Sequence, residues 1–378
     1  MIYLDSGATT LEKPPEVARS MAWAAAAMSS PGRGNYPASQ RAERTAFACR
    51  EAAAALFHVP SPEQVVFTFN ATHGLNIAIR TLVRPGSRVA VSGYEHNAVT
   101  RVLHSIPGVE IMVVDAPLFR PEKTLEGFRE ALSRGVNAVV CNHVSNVFGC
   151  VQPVEEIAAL CRRTGTPLIV DASQSAGILP VTLSDWGAAF VAMPGHKGLY
   201  GPQGTGLLLC GGEAQPLLFG GTGSASRIQT MPPDLPDRLE AGTHNMPGIA
   251  GLLEGLRFVQ RVGTERILRH ELARTGQVAH GLSALPGVEV FADGEDRAQP
   301  GVLSFRVRGM DSEQIGEELA RRQIAVRAGL HCAPLAHRTA GTFETGTVRL
   351  SPSVFNTPRH IDVFLRELSG IIRENSRQ

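Results

Sequence analysis

Two residues of opposite charge stand at the ends of neighbouring apolar runs and could act on one small molecule. Asp171 ends the run at 168–170, and Lys197 follows the run at 188–193. Each run has the length of a buried strand and is too short to be a helix. Because ligands of open α/β sheets bind at the carboxyl ends of the strands, both side chains are expected to face one cavity.

A cavity that holds one carboxylate and one amine suits a pyridine cofactor with an aldehyde, pyridoxal phosphate. The aldehyde forms a Schiff base with a lysine, and a carboxylate keeps the ring nitrogen protonated so that the ring accepts electrons. The alternative is that Asp171 caps a helix and Lys197 is a solvated loop cation. The Gly-His-Lys triplet by itself favours this alternative, since short motifs often match by chance.

Length and composition indicate a globular enzyme with two domains. The 378 residues exceed the usual size of one core, and 43% are hydrophobic and 19% charged. The net charge of +1 predicts neither a nucleic-acid nor a membrane surface. The first ten residues, MIYLDSGATT, lack the features of a signal peptide, so a cytoplasmic protein is expected.

The cysteines form no CxxC pair and no regular framework, and the sequence predicts no metal site. Most of the six lie in apolar segments, where a thiol behaves as a small hydrophobic group. Cys332 differs because it lies in GLHCAP, with Arg327 nearby in the sequence. A reactive thiol needs exposure and a positive setting, which this segment could provide. The alternative for Cys332 is a buried structural thiol.

A strand, a small polar turn and a helix start follow one another between residues 65 and 75. The first N–H groups of a helix are unpaired and its dipole favours negative charge, so this arrangement can bind an anion. Ala71 and Thr72 are the natural phosphate donors there. The alternative for Thr72 is a plain helix N-cap.

More polar side chains follow the strands predicted at 88–92 and 138–141. His96 could stack on a planar ring and move protons near neutral pH, or it could be an ordinary hydrogen-bonded loop residue. Asn146 follows the other strand. Strands alternate with helices, which predicts a mostly parallel sheet covered on both faces. The absence of nucleotide-binding glycine motifs weakens nicotinamide and nucleoside triphosphate interpretations.

We predict a large domain at 15–259 and a small α+β domain formed by 1–14 together with 260–378. The large domain contains helices over 15–57, interrupted at 29–37, and the mostly parallel sheet. The small domain contains strands at 302–307, 324–327 and 347–350, a helix opened by Asp311 with Gln314 in a capping box, and a last helix from Pro358. The connection at 211–245 is long enough to be functional or interfacial.

Segments along nearly the whole chain resemble the class V aminotransferase family of pyridoxal-phosphate enzymes, and most closely its cysteine desulfurases and selenocysteine lyases. In family order they are YLDSGATT, FNATHGLN, YEHNA, HVSNVFG, IVDASQ, GHKGLYGPQGTG, EAGTHN, VRAGLHCAP and VRLSPSVFNT. The resemblance implies the α/β fold of fold-type I pyridoxal-phosphate-dependent transferases, with a seven-stranded sheet. Pro194 replaces the family's usual hydroxyl residue, and Ser6-Gly7-Ala8 replaces its Asn-Ala-Ala.

The resemblance also implies a role for each matching residue. Lys197 would form the Schiff base, Asp171 would pair with the ring nitrogen, and His96 would stack on the ring. The other implied cofactor contacts are Gln174 and Asn146 near the phenolic oxygen, Ala71, Thr72 and His196 at the phosphate, and Thr243 from the second subunit of a homodimer. Arg349 would clamp the substrate carboxylate, with Arg327 and Asn146 nearby, and Cys332 would accept sulfur.

The activity implied by the resemblance is a cysteine desulfurase that converts L-cysteine to L-alanine and leaves a persulfide on Cys332 for a sulfur-acceptor protein. A second hypothesis keeps the cofactor without persulfide transfer, as in a selenocysteine lyase, a cysteine or cystine β-lyase, an aminotransferase or an epimerase. A third is a non-catalytic binding protein, which would have no need of Lys197.

Overall fold

A computed structural model describes residues 1–32, 34–294 and 299–375 of the chain. Its strands are β1 Ile2–Tyr3, β2 Val65–Thr68, β3 Arg88–Ser92, β4 Glu110–Val114, β5 Ala138–Asn142, β6 Leu168–Asp171, β7 Phe190–Pro194, β8 Gly206–Cys210, β9 Val288–Phe291, β10 Leu303–Val307, β11 Ile324–Ala325, β12 Arg327–Gly329 and β13 Thr347–Leu350. Its helices are α1 Pro15–Ala27, α2 Pro37–Leu56, α3 Ala71–Leu82, α4 Asn97–His104, α5 Pro121–Ser133, α6 Val154–Thr164, α7 Leu183–Trp186, α8 Met246–Val262, α9 Thr264–Ser283, α10 Ser312–Arg321, α11 Pro334–Thr339 and α12 Pro358–Asn375.

A seven-stranded sheet forms the centre of the larger unit, in the order β2-β8-β7-β6-β5-β3-β4. All its strands are parallel except β8, which is antiparallel to β2 and β7. Strands β5, β6 and β7 are buried along their whole length, since helices cover both faces of the sheet. The predicted mostly parallel α/β fold is confirmed. The sequence analysis did not locate β8.

A smaller antiparallel sheet has the order β12-β13-β10-β9. Residues of α9, α10 and α12 pack against it around Phe305 and Phe364. Strand β1 pairs in parallel with β11, so the start of the chain lies against this unit. The segment predicted as one strand at 324–327 is two short strands in different sheets. The boundaries at 14/15 and 259/260 stay predictions.

Several helix limits agree with the local sequence signals. Helix α1 ends at Ala27 and α2 begins at Pro37, as the turn-rich segment between them predicts. The Asp311 carboxylate caps α10 by accepting the N–H groups of Glu313 at 2.9 Å and Gln314 at 3.0 Å. In the part of the chain that the structure describes, no helix combines the length and apolarity needed to cross a bilayer.

The long connection at 211–245 is fixed to the large unit by a buried ion pair. The Arg50 guanidinium donates two hydrogen bonds to the Glu240 carboxylate, at 2.8 Å and 2.6 Å. The same carboxylate accepts the Phe67 N–H at 2.6 Å and lies 2.5 Å from His244 Nε2. Glu240 therefore joins the connection to both α2 and the β2 edge of the sheet.

Removing the Glu240 carboxylate is expected to destabilise the fold strongly. Glu240→Ala leaves the Arg50 guanidinium buried without its charge partner, which costs about 3–5 kcal/mol of unfolding free energy. The control is Glu254→Ala, whose partner Arg257 is 52% exposed, and it should cost less than about 1 kcal/mol. Urea unfolding measures both, and equal losses in the two variants would contradict the stabilising role of the buried pair.

Candidate functional site

A cleft of about 800 Å³, counting its open mouth, lies at the carboxyl ends of β5, β6 and β7 and reaches the smaller sheet. Parallel neighbouring strands bring their following loops to the same edge, which explains why residues far apart in sequence meet there. Every site residue predicted from the sequence except Thr243 lines this cleft. These residues are Ala71, Thr72, His96, Asn146, Asp171, Gln174, His196, Lys197, Arg327, Cys332 and Arg349.

Asp171 and Lys197 face this one cleft. Asp171 lies in β6 opposite Ala192 of β7, and the loop after β7 carries Lys197. Burial raises the pKa of Asp171, while the hydrogen bond from the Ser173 N–H at 2.9 Å and the charge of Lys197 oppose that shift. Burial lowers the pKa of Lys197 to about 8, against the opposing charge of Asp171. Lys197 is therefore not a solvated loop cation.

His96 is a hydrogen-bonded residue whose ring also lines the cleft. It is the N-cap of α4, and its Nδ1 accepts the Ala98 N–H at 3.0 Å while the ring lines the cleft. Because Nδ1 is an acceptor, the proton of the neutral ring is on Nε2. Burial, followed by the charge of Lys197, lowers the pKa of His96 to about 4. The ring is thus neutral at physiological pH and has a fixed tautomer.

The start of α3 forms one end of the cleft, where the sequence predicts an anion site. Asn70 is the cap of this helix, since its Oδ1 accepts the His73 N–H at 2.9 Å. The interpretation of Thr72 as the N-cap is therefore wrong. The N–H groups of Ala71 and Thr72 have no preceding helical turn to bond and border the cleft. Nearby, His196 Nδ1 is buried without a hydrogen-bond partner among the described residues.

Two arginines from neighbouring strands form the opposite side of the cleft. Arg327 and Arg349 are directly paired in β12 and β13. The Arg349 guanidinium is 2% exposed and donates to Asp5 Oδ1 at 2.6 Å and to the Asn146 carbonyl at 2.9 Å. Its two terminal nitrogens are thus fixed by the N-terminal segment and by the loop after β5. Arg349 Nε has no hydrogen-bond partner among the described residues.

Cys332 is the exposed cysteine, and the other five are buried. The interpretation of Cys332 as a buried structural thiol is therefore wrong. Cys332 and His331 both have left-handed backbone, with φ of 56° and 48°. Their carbonyls accept hydrogen bonds at 2.8 Å, from the Asn97 N–H and from Asn146 Nδ2 respectively. These bonds fix the thiol at the cleft, with Sγ 3.9 Å from Arg327 Nη2.

Gln174 and Thr243 lie in different environments. The Gln174 Nε2 donates to the Gly7 carbonyl at 3.0 Å, so the replaced segment Ser6-Gly7-Ala8 contributes to the cleft wall. Thr243 is exposed and lines a separate cleft beside Phe67 and Phe69. Within one chain, Thr243 is not one of the residues that line the cleft around Lys197.

The sequence analysis missed Asp5 and His331 as site residues. Asp5 is the partner of Arg349, and His331 lines the cleft while its Nε2 contacts the Thr347 hydroxyl at 3.1 Å. Asp5 lies in the segment YLDSGATT and His331 in VRAGLHCAP. The resemblance therefore included both residues, although neither was given a role. In the described ranges, no group of three or more His, Cys, Asp or Glu residues is arranged to hold a metal ion.

Comparison with known proteins gives consistent similarities over the whole chain. The family model described as aminotransferase class-V matches residues 2–364. A "probable cysteine desulfurase" of Methanothermobacter thermautotrophicus is 33% identical over 98% of this chain and 95% of its own length. Another, from Mycolicibacterium paratuberculosis, is 32% identical, and this chain spans 55% of its length. The apo structure of cysteine desulfurase from Thermococcus onnurineus NA1 superposes with a TM-score of 0.89 at 29% identity, covering 99% of this chain and 95% of that one.

Brief treatment of the native protein with iodoacetamide is expected to modify one cysteine per chain, at Cys332. The other thiols are buried, and burial raises the pKa of Cys49, Cys150 and Cys161 to about 12, which removes the reactive thiolate. Intact mass and peptide mapping measure the labelling. Cys332→Ser should take up no label before unfolding, and rapid labelling of that variant would show that the cysteine environments are misassigned.

Proposed function

The chain belongs to the aminotransferase class-V family, and from that premise we propose that it is a pyridoxal-phosphate-dependent cysteine desulfurase. The observation that carries this proposal is the meeting, in one cleft, of a buried carboxylate, a lysine of lowered pKa and an exposed cysteine. The relatives named cysteine desulfurase support the choice within the family. Substrate and product are then L-cysteine and L-alanine.

The residues of the cleft fit the cofactor. Asp171 offers a buried carboxylate for the ring nitrogen, and the first N–H groups of α3 offer an anion site for the phosphate. His196 Nδ1 and Asn146 Oδ1 are buried without hydrogen-bond partners among the described residues, as expected of groups that await a ligand. Gln174 and the His96 ring would bind the phenolic oxygen and the ring face. When bound, the cofactor supplies an electron sink for the bonds of the substrate Cα.

Four side chains of the cleft would bind the substrate and cofactor and move the substrate proton. Arg349 would bind its carboxylate, since Asp5 and the Asn146 carbonyl already fix the guanidinium. Arg327 adds positive charge at the same wall. Lys197 Nζ, whose lowered pKa makes the neutral amine accessible, would take the proton from Cα. Asp171 would hold the ring nitrogen of the cofactor, whose positive charge would favour the ionised carboxylate.

Cys332 would carry out the sulfur transfer. Its thiolate attacks the substrate sulfur, a new S–S bond forms, and the substrate C–S bond breaks. The substrate Cβ gains a proton, so the products are alanine and a persulfide on Cys332. The Arg327 guanidinium lies 3.9 Å from Sγ, beside the attacking atom. Because the thiol is exposed, the persulfide is open to a sulfur-acceptor protein, which we include in the proposal.

A homodimer and a cytoplasmic location complete the proposal. Thr243 is exposed and lies outside the Lys197 cleft of its own chain, beside Phe69, whose side chain is 58% exposed. A second subunit covering this region would bury Phe69 and could bring Thr243 to the phosphate of its partner. The reducing environment of the cytoplasm suits a protein whose cysteines are all free and whose mechanism requires a reduced thiol.

Loss of the Cys332 thiol is expected to abolish persulfide formation. Cys332→Ala should lower alanine production from L-cysteine at least about 100-fold, because the variant has no nucleophile for sulfur. Its visible cofactor absorbance should remain, whereas Lys197→Ala should lose it. The assay scores alanine, pyruvate and protein-bound sulfur with L-cysteine, L-selenocysteine and L-cystine. Undiminished alanine production in Cys332→Ala would favour a lyase without persulfide transfer.

Asp5→Asn is expected to weaken substrate binding through Arg349. The change removes one charge partner of a buried guanidinium and is worth about 1.5–3 kcal/mol, or roughly a 10- to 100-fold increase in KM for L-cysteine. Steady-state kinetics should show a smaller change in kcat. Glu12→Gln, elsewhere in the N-terminal segment, provides the control. A KM equal to that of the native protein would remove Asp5 from the proposed substrate site.

A further inference from the structure

A second cavity, here called the rear cavity, shares a wall with the cleft. It measures about 340 Å³, counting the space open to solvent, and includes Lys197, Gln174, Tyr200, Glu271, Gly301 and Ser353 among its lining residues. Lys197 and Gln174 line both the rear cavity and the cleft. The polar lining and the free space are enough for about one or two water molecules. The rear cavity is therefore bordered both by Lys197 and by Glu271 of helix α9.

Glu271 is a buried carboxyl group that the proposed reaction has not used. Its side chain is 2% exposed, and Oε2 has no hydrogen-bond partner among the described residues. A Cβ at Gly301 would lie 2.4 Å from this oxygen, so the glycine leaves the space that the carboxyl group occupies. Burial raises the pKa of Glu271 to about 8. The group is therefore protonated below that pH and can titrate near physiological conditions.

Several other ionisable groups lie around the rear cavity. The Tyr200 hydroxyl has its pKa raised by burial and then by the charge of Glu271, so it stays neutral. The N-terminal segment contributes Lys13, which donates to Thr10 Oγ1 at 2.8 Å and whose pKa burial lowers to about 8. Helix α9 itself carries His270, whose Nε2 lies 2.9 Å from the Asn356 carbonyl, and Arg274.

We propose that Glu271 exchanges a proton with Lys197 Nζ through water in the rear cavity. A proton leaves the lysine ammonium, a water molecule accepts it and passes one of its own to Glu271 Oε2. The lysine becomes a neutral amine as the carboxylate becomes a neutral acid, so no net charge enters the interior. The reverse transfer returns the proton. The proposal rests on the proposed function, in which Lys197 must be neutral to take the Cα proton.

Burial of both groups favours the exchange, and the bound substrate and cofactor would separate Lys197 from bulk water. Burial brings the pKa of the amine down to about 8 and that of the carboxyl group up to about 8, so burial favours the neutral amine and the neutral acid that the transfer produces. Substrate and cofactor would fill the cleft and exclude bulk water from Lys197. The Glu271 carboxyl group, which borders the rear cavity, could then still exchange a proton with Lys197.

Infrared spectroscopy of the holoenzyme tests the protonation of Glu271 without relying on activity. The native protein should show a carboxylic-acid carbonyl band that disappears as the pH rises through about 8. Glu95, whose pKa is also raised to about 8, contributes a similar band, so the spectra of variants must be subtracted. The native-minus-Glu271→Gln difference should contain the titrating band, and the native-minus-Glu254→Gln difference should not.

Kinetics with L-cysteine test the exchange itself. Glu271→Gln should lower kcat about 10-fold above pH 8, where the native carboxylate can accept a proton, leave KM within about twofold, and remove an ionisation near pH 8 from the pH profile of kcat. Glu271→Asp, which keeps a titratable group, should recover part of kcat and provides a second variant if the amide variant does not fold. Glu254→Gln should behave as the native protein.

Two results would overturn the exchange. The first is the absence of the titrating band from the native-minus-Glu271→Gln infrared difference, as expected if Glu271 were ionised beside Arg274. The second is a pH profile of kcat that is the same in Glu271→Gln as in the native protein. Either could occur while the native protein still makes alanine and persulfide, which leaves the desulfurase proposal intact. Conversely, the native protein could show the titrating band but make no alanine from cysteine. That result would refute the desulfurase proposal and leave the conclusion that Glu271 is protonated intact.

Discussion

Burial of two opposite charges at the ends of adjacent parallel strands is the constraint on which this structure depends. Asp171 is in register with Ala192 across β6 and β7, and the loop that follows β7 brings Lys197 to the same cleft. Burying either charge alone would be costly, whereas together each favours the charged form of the other. Burial lowers the pKa of Lys197 to about 8, which makes the neutral amine accessible for proton transfer.

The cleft requires contributions from both sheets and from the chain terminus. The ion pair between Asp5 and Arg349 joins residues 344 positions apart at 2.6 Å. The backbone carbonyl of Asn146 accepts a hydrogen bond from Arg349, and its side-chain amide donates one to the His331 carbonyl. These two bonds connect the loop after β5 to the segment that carries Cys332. Movement of the smaller unit relative to the seven-stranded sheet would thus alter the positions of Arg349 and Cys332 together.

Much of the fold was predictable because it depends on local pattern. The short apolar runs that became β2, β3, β5, β6 and β7 and the turn between β2 and α3 were located correctly. Strand β8 was missed because GLLLC lies between glycine-rich segments and carries no period of its own. The division of 324–329 between two sheets was also missed, since the partners β1 and β13 are distant in the sequence.

By itself, the sequence determined which chemical groups are present and the order in which loops deliver them to the sheet edge, because strand alternation and turn chemistry are local properties. Tertiary structure decided how those groups behave. Asp5 became the partner of Arg349, Cys332 remained exposed while five similar thiols were buried, and Glu271 acquired a raised pKa. Exposure, charge pairing and protonation depend on the atoms that surround a side chain, and those atoms come from segments that only the folded chain brings together.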